Sequence, residues 1–351
     1  PVAPFGSMIP AGTNPSNNYY QHASRWNVPT ADEYLIDIIT EIASRYNIDY
    51  NKIVVTGSSM GGIGAYHMAH RLNDRLAAVM SNGGSWTLGS WASITDLPVY
   101  TVHGTNDAYW GGSSSSCRNH MTAVEFPRKA HQLMGANNPN DTLTEYPQIP
   151  GHGFDTSYNT TEPGALAWKA FVNGTQGLVH GYTRNPYRNH VIAINPWRTY
   201  QTGGNYEHTW NEDPSPHTMW LSINSYGTGT IPYDRVTPQG DGGCTSQANW
   251  NNWSLISDTV NVQGGKAEAT NAGNNVINVT TNNVTNLSVW PHTNMVNFAQ
   301  PITLNINGNS IQRTCTASLL TALKSYERRK DWNMIYTCEL PININSSGVP
   351  I

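Results

Sequence analysis

The feature that most constrains the fold is the segment at residues 52–66, KIVVTGSSMGGIGAY. In this segment a short apolar run is followed by a turn that contains Gly57, Ser59 and Gly61, and then by a helix-like pattern. A Gly-x-Ser-x-Gly turn between a parallel strand and a helix holds its serine in a strained backbone above the sheet, and the flanking glycines avoid steric clashes. We therefore predict a strand that ends just before Ser59 and a helix that begins just after it.

The remainder of the first half alternates between helical and strand patterns. A capping box at Thr30 and Glu33 predicts a helix start, and apolar side chains then recur at helical spacing. Predicted helices cover residues 30–47, 61–72, 123–135 and 163–171, and predicted strands cover residues 52–56, 76–80, 97–102 and 142–146. This alternation predicts a doubly wound, mostly parallel sheet with helices on both faces.

The second half has a different texture. From about residue 182 helical periodicity disappears, and short β-rich runs (HTMWLSI, NVINVTT, NLSVW and ITLNINGNSIQ) are separated by Asn, Gly and Pro. Asn307-Gly308 suits a two-residue type I′ hairpin, and one helix is predicted at residues 316–329. We therefore predict an α/β domain at residues 1–178 and a β-rich, sandwich-like domain with one helix at residues 179–351.

Composition limits the partners and the compartment. The net charge of −4 without a basic stripe argues against a nucleic-acid partner, and the absence of a long apolar run predicts no membrane span. Few lysines and many Asn and Thr residues indicate a secreted or cell-surface protein, extracellular or periplasmic. The four cysteines allow three full pairings, of which Cys315–Cys338 with Cys117–Cys244 is preferred. Four buried thiols in a cytosolic protein are the alternative.

A serine hydroxyl is a poor nucleophile at neutral pH, so Ser59 needs a base that is oriented by a carboxylate. With this kind of turn, the acid and then the histidine follow on loops after later strands. Asp107 follows the strand pattern in LPVYTVHGTNDAYW, and His152 follows that in LTEYPQIPGHGFDT. We predict Ser59 as nucleophile, Asp107 as acid and His152 as base, with the Met60 N–H as an oxyanion donor.

Other residues compete for these roles. Asp96 is the rival carboxylate, although it precedes its strand instead of following it. His103, at the end of the same strand, is expected to be a structural histidine bonded to backbone. His67 and His70 fall inside the helix that follows Ser59, and we expect them on its solvent side.

The segments RYNIDYNKIVVTGSSMGGIGAYHMAHRLNDRLAAVMSNGG, LPVYTVHGTNDAYW and YPQIPGHGFDT resemble secreted bacterial α/β-hydrolase esterases. The most similar groups are feruloyl esterases and polyhydroxybutyrate depolymerases, with prolyl-oligopeptidase-type peptidases as neighbours. The resemblance covers residues 1–175, and the second half more loosely resembles a β-rich domain attached to some of these hydrolases. It implies an α/β-hydrolase fold with Ser59, Asp107 and His152 as catalytic residues.

The same resemblance implies that earlier strands and a second oxyanion loop precede PVAPFG, the first residues of this chain. We therefore expect either a fragment or a separate upstream piece that completes the sheet.

The expected activity is hydrolysis of a carboxylic ester, polymeric or carbohydrate-linked, through an acyl-enzyme and without a metal or organic cofactor. A serine peptidase is one alternative, because the same residues run both reactions. The other is a non-catalytic extracellular surface or polymer-binding protein that retains the hydrolase fold. For that alternative, tryptophans in the β-rich half would stack on sugars, although such side chains more often fill cores; the candidates are Trp197, Trp210, Trp220 and Trp250.

Overall fold

The computed structural model describes residues 30–84, 91, 94–105, 107, 124–135, 138, 142–146, 183–196, 198–202, 206–210, 217–239 and 254–351. Buried apolar side chains form two clusters, one drawn from residues 35–134 and the other from residues 187–344. No helix in these ranges is both long and apolar enough to cross a membrane. The predicted boundary between residues 178 and 179 lies outside the described residues.

The first region is a four-stranded parallel sheet with the strands in chain order, β1-β2-β3-β4. Its elements are helix α1 Thr30–Arg45, β1 Val54–Ser58, α2 Met60–Arg71, β2 Ala78–Asn82, β3 Val99–Gly104, α3 Glu125–Met134 and β4 Thr142–Tyr146. Strand β3 is buried along its whole length and β2 along nearly all of it, as expected for central strands covered on both faces.

The parallel sheet and its alternating helices confirm the corresponding sequence predictions; β4 has the predicted bounds, and β1, β2 and β3 lie slightly further toward the C-terminus. The helix predicted at residues 163–171 lies outside the described residues. Helices on both faces of a doubly wound sheet therefore remain a prediction.

The second region is mostly strand. It contains β5 His190–Pro196, β6 Arg198–Thr202, β7 Tyr206–Trp210, β8 His217–Thr218, β9 Leu221–Tyr226, β10 Thr230–Gln239, β11 Ser254–Gly273, β12 Val276–Asn282, β13 Val284–Val289, β14 Ile302–Ile306, β15 Asn309–Arg313, helix α4 Leu319–Arg329 and β16 Leu340–Asn343. One sheet has the order β10-β11-β12-β14-β15 with β5 also paired to β11, and a second has the order β16-β13-β9-β8. Both sheets contribute to one hydrophobic cluster, so the β-rich half has its own core.

Local chemistry fixes three features near the C-terminus. Asn307 and Gly308 join β14 to β15 with φ values of 48° and 83°, which confirms the predicted hairpin turn. Ser318 caps α4 by accepting a hydrogen bond from the Thr321 N–H at 3.4 Å. Cys315 and Cys338 form the predicted disulfide, with Cα atoms 5.9 Å apart. Cys117 and Cys244, the other preferred pair, lie outside the described residues.

Arg184 joins the two regions through its buried guanidinium. Its Nη1 lies 2.6 Å from Oδ2 of Asp331, and both side chains are almost fully buried. The same nitrogen donates to the carbonyl of Asp74 at 3.0 Å, and Nη2 donates to Oδ1 of Asn51 at 2.7 Å. One cation therefore connects the turn after α4 with the loop before β1 and the loop after α2.

Arg188 makes a second connection of the same kind. It donates to the carbonyl oxygens of Thr95 and Asn73, the latter at 2.9 Å, and complete burial lowers its pKa to about 10. Its own carbonyl accepts from Nε1 of Trp220 at 2.8 Å. Trp220 is fully buried in the core of the second region, so the suggestion that it stacks on sugars is wrong.

Removing the carboxylate at the first connection should destabilise the fold strongly. We expect Asp331→Asn to lower the free energy of unfolding by about 3–5 kcal/mol, because the buried Arg184 cation would lose its counter-ion. Urea unfolding followed by tryptophan fluorescence measures this. The matched control is Glu41→Gln, which removes an exposed ion pair to Arg45 and should change stability by less than about 1 kcal/mol. Equal unfolding midpoints for the two variants would contradict this account.

Candidate active site

Ser59 occupies the turn between β1 and α2 with φ 56° and ψ −118°. Positive φ is disfavoured for a residue with a Cβ, so this backbone has the strain predicted for the turn. Two hydrogen bonds hold it: the Ser59 N–H donates to the carbonyl of Asn82 at 2.8 Å, and the Ser59 carbonyl accepts from the Ile63 N–H at 3.0 Å. The partly exposed side chain makes no capping hydrogen bond to α2.

Glycines allow the backbones around this turn to approach closely. A Cβ on Gly57 would lie 2.1 Å from the carbonyl oxygen of Gly61, and one on Gly62 would lie 2.7 Å from the backbone nitrogen of Gly84. Among the described residues, a Cβ on Gly61 would meet nothing within 4 Å. The prediction that both flanking glycines avoid clashes is therefore correct for Gly57 and wrong for Gly61. The second glycine required by packing is Gly62, which the motif alone does not single out.

These spacings generate a matched pair of variants. Gly57→Ala should destabilise the protein by about 2–4 kcal/mol, because backbone atoms on both sides must move to admit the methyl group. Gly61→Ala should be neutral or stabilising by up to about 1 kcal/mol, because the methyl enters open space within a helix. Thermal unfolding of both purified variants compares them. If Gly61→Ala proved the more damaging, the turn geometry described above would be wrong.

The N-terminus of α2 lies next to Ser59, where the sequence predicts an oxyanion donor. Met60 is the first residue of this helix, and N–H groups in the first turn have no partner further back in their own helix. The helix dipole adds partial positive charge at the same end. A negatively charged oxygen near Ser59 would therefore be stabilised there.

Asp107 follows β3 and is fully buried. Its N–H donates to the carbonyl of Gly104 at 3.2 Å, and its Oδ2 lies 3.0 Å from Nε2 of His103, which is also fully buried. Neither ring nitrogen of His103 makes a hydrogen bond in the described part of the chain. The prediction that His103 bonds to backbone is therefore wrong, and its Nε2 instead lies near the carboxylate of the candidate acid.

The parallel sheet brings Ser59 and Asp107 to the same edge, because each follows the carboxyl end of its strand. Strands β1 and β3 are separated only by β2, so their ends lie about 10 Å apart. An imidazole that makes two hydrogen bonds of about 2.8 Å spans a gap of this order. Strand β4 ends at the same edge with Tyr146. His152 follows it in the chain and lies outside the described residues.

The rival carboxylate is in a different place. Asp96 is exposed, has φ 54° and precedes β3, so it lies at the opposite edge of the sheet from Ser59. This arrangement favours Asp107 over Asp96 as the acid.

The histidines of α2 are not on a solvent face. His67 is 2% exposed, and the His70 ring packs edge-on against Trp91 with the centroids 4.4 Å apart. The prediction of a solvent-facing side chain is wrong for His67 and holds only in part for the half-buried His70, because α2 is covered on more than the face turned to the sheet. Within the described ranges, no three His, Cys, Asp or Glu side chains come together as a metal site would require.

Comparisons with known proteins give partial similarities. No family model matches the chain. A bifunctional acetylxylan esterase/xylanase, XynS20E, from Neocallimastix patriciarum is 28% identical over 126 residues, which make up 35% of this chain and 18% of that protein. This chain therefore corresponds to a small part of that relative. The similarity to an esterase agrees with the ester-hydrolase type expected from the sequence.

Two solved structures are also similar over part of the chain. A thermostable esterase has a TM-score of 0.31 and 23% identity, covering 41% of this chain and 35% of its own. The structure of YahD with malic acid has a TM-score of 0.28 and 17% identity, covering 41% of this chain and 62% of its own.

Proposed function

We propose that this protein is a serine hydrolase of carboxylic esters, with Ser59 as nucleophile, His152 as general base and Asp107 as the orienting acid. The observation that carries the proposal is the strained turn at Ser59, at the sheet edge that also holds the buried Asp107 carboxylate. A serine with positive φ between a parallel strand and a helix is the arrangement that nucleophilic α/β hydrolases use.

In the proposed reaction His152 accepts the proton of the Ser59 hydroxyl while Oγ attacks the ester carbonyl. The Met60 N–H and the positive end of α2 stabilise the oxyanion that forms. The His152 imidazolium, stabilised by Asp107, then protonates the departing alcohol. The acyl group remains bound to Ser59 as an acyl-enzyme. Water gives a proton to His152, attacks the acyl carbon and releases the acid, and Ser59 regains its proton.

The substrate we propose is an acyl ester carried on a polysaccharide such as xylan. The acetylxylan esterase activity in the name of the partial relative supports this choice. We further propose that the protein works outside the cytosol, as the Cys315–Cys338 disulfide supports. Feruloyl esters, suggested by the sequence resemblance, belong to the same chemical class.

Replacement of the nucleophile tests the proposal. Ser59→Ala should reduce hydrolysis of p-nitrophenyl acetate by about 10³-fold or more, because no alkoxide can form. Ser58→Ala is the matched control, since Ser58 is the exposed neighbour at the end of β1 and should retain activity within a few-fold. Comparable rates for Ser59→Ala and the unaltered protein would refute the assignment.

The two carboxylates give a second test. Asp107→Asn should reduce kcat by about 10³–10⁴-fold, because a neutral amide neither orients the histidine correctly nor stabilises its cation. Asp96→Asn should leave kcat close to that of the unaltered protein, because that side chain lies at the far edge of the sheet. Circular dichroism of both variants checks that they are folded. The reverse ranking of the two variants would assign the acid to Asp96.

A further inference from the structure

Trp332 differs from the other tryptophans whose side chains the structure describes. Trp91, Trp220 and Trp290 are 0%, 0% and 2% exposed, whereas Trp332 is 61% exposed. Its indole stacks on the ring of Tyr326, with the centroids 4.1 Å apart and the planes inclined by 27°. Tyr326 therefore covers one face of an otherwise largely exposed indole.

The backbone that carries this indole is held firmly. Lys330, the residue that follows α4, has a left-handed backbone, and the next residue, Asp331, is buried in its ion pair with Arg184. Oδ1 of Asp331 accepts from the Asn333 N–H at 2.8 Å. The residues on both sides of Trp332 are therefore anchored, and a rigid aromatic side chain loses little entropy when it binds a ligand.

Two polar side chains, those of Asn333 and Asp49, lie in the neighbourhood of Trp332. Asn333, the next residue, directs its Nδ2 toward Oδ1 of the exposed Asp49 at 3.4 Å. In the described part of the chain, no hydrogen bond is made by Oδ1 of Asn333 or Oδ2 of Asp49. An amide and a carboxylate therefore offer acceptors beside a flat apolar face.

A pyranose ring matches this combination of groups. One face of the sugar presents C–H groups that carry slight positive charge, which suits the negative face of an aromatic ring. Its rim presents hydroxyl groups that donate to amide and carboxylate oxygens. A purely apolar partner would leave Asp49 and Asn333 desolvated and imperfectly paired.

We propose that Trp332, supported by Tyr326 and followed in the chain by Asn333 with its partner Asp49, is a binding site for a sugar ring of a polysaccharide. The site is separate from the candidate active site, because Asp49 precedes β1 whereas Ser59 follows it. The inference stands on the aromatic and polar geometry alone. Combined with the proposed function, such a site would hold the protein on the polymer that carries its ester groups.

Binding of the full chain to xylohexaose, measured by calorimetry, and to insoluble xylan, measured by sedimentation, tests the inference. Trp332→Ala should weaken both by about tenfold or more, and Trp332→Phe should recover part of the loss because a flat ring remains. Leu319→Ala is the matched control: Leu319 is 77% exposed at the first turn of α4, about two helical turns from Tyr326, so binding should not change.

Hydrolysis of p-nitrophenyl acetate and the unfolding midpoint should be the same for Trp332→Ala and the unaltered protein, which separates loss of sugar binding from loss of fold. Ser59→Ala should bind xylan normally, so failure of the catalytic proposal and failure of this one are distinguishable. Absence of measurable xylan binding, or equal binding by Trp332→Ala, would overturn the inference. An equal loss in Leu319→Ala would also overturn it and would indicate an apolar surface for a protein partner.

Discussion

The close approach of backbones around Ser59 is the constraint on which the candidate active site depends. Gly57 leaves no room for a side chain against Gly61, and Gly62 leaves none against Gly84. At these glycines the first turn of α2 therefore meets the end of β1 and the residues after β2 with only main-chain atoms between them. This contact forces the chain to reverse within one residue, and Ser59 takes the positive φ that results. Such a strained backbone conformation costs on the order of 1–3 kcal/mol and persists only where the surrounding contacts hold the residue in it.

The second organising interaction is the buried pair of arginines between the sheet regions. Arg184 donates hydrogen bonds to Asp331 and to Asn51. The Arg188 guanidinium donates to carbonyl oxygens of the first region, and the Arg188 carbonyl accepts a hydrogen bond from the indole N–H of Trp220. The turn anchored by Arg184 also carries Trp332. The same ion pair thus stabilises the junction of the two regions and holds the backbone next to the exposed indole in place.

Local chemistry explains which parts of the structure the sequence could predict. The turn at Ser59 and the Asn307-Gly308 hairpin depend on residues close together in the chain, so glycine and asparagine positions identify them. The Cys315–Cys338 disulfide joins two cysteines that are 23 residues apart in a chain whose few cysteines allow few pairings. Helices and strands of the first region follow from clear hydrophobic periodicity.

Features that depend on distant contacts could not be read in this way. The twenty-residue β11 pairs with β10 along its first half and with β5 and β12 along its second, and no local pattern predicts that sharing. The contact of His103 with Asp107 depends on side chains that only the folded loop brings together. Trp332 lies in a turn, where periodicity does not distinguish an exposed indole from a buried one.

The central claim is that Ser59 is an activated nucleophile, and covalent labelling of the folded full chain measures this most directly. A fluorophosphonate probe followed by digestion and mass spectrometry should find one adduct, on the peptide that contains Ser59. Labelling should disappear when the chain is unfolded before the probe is added, because activation requires the assembled sheet edge. Absence of an adduct on the folded protein, or an adduct on a different serine, would contradict the account.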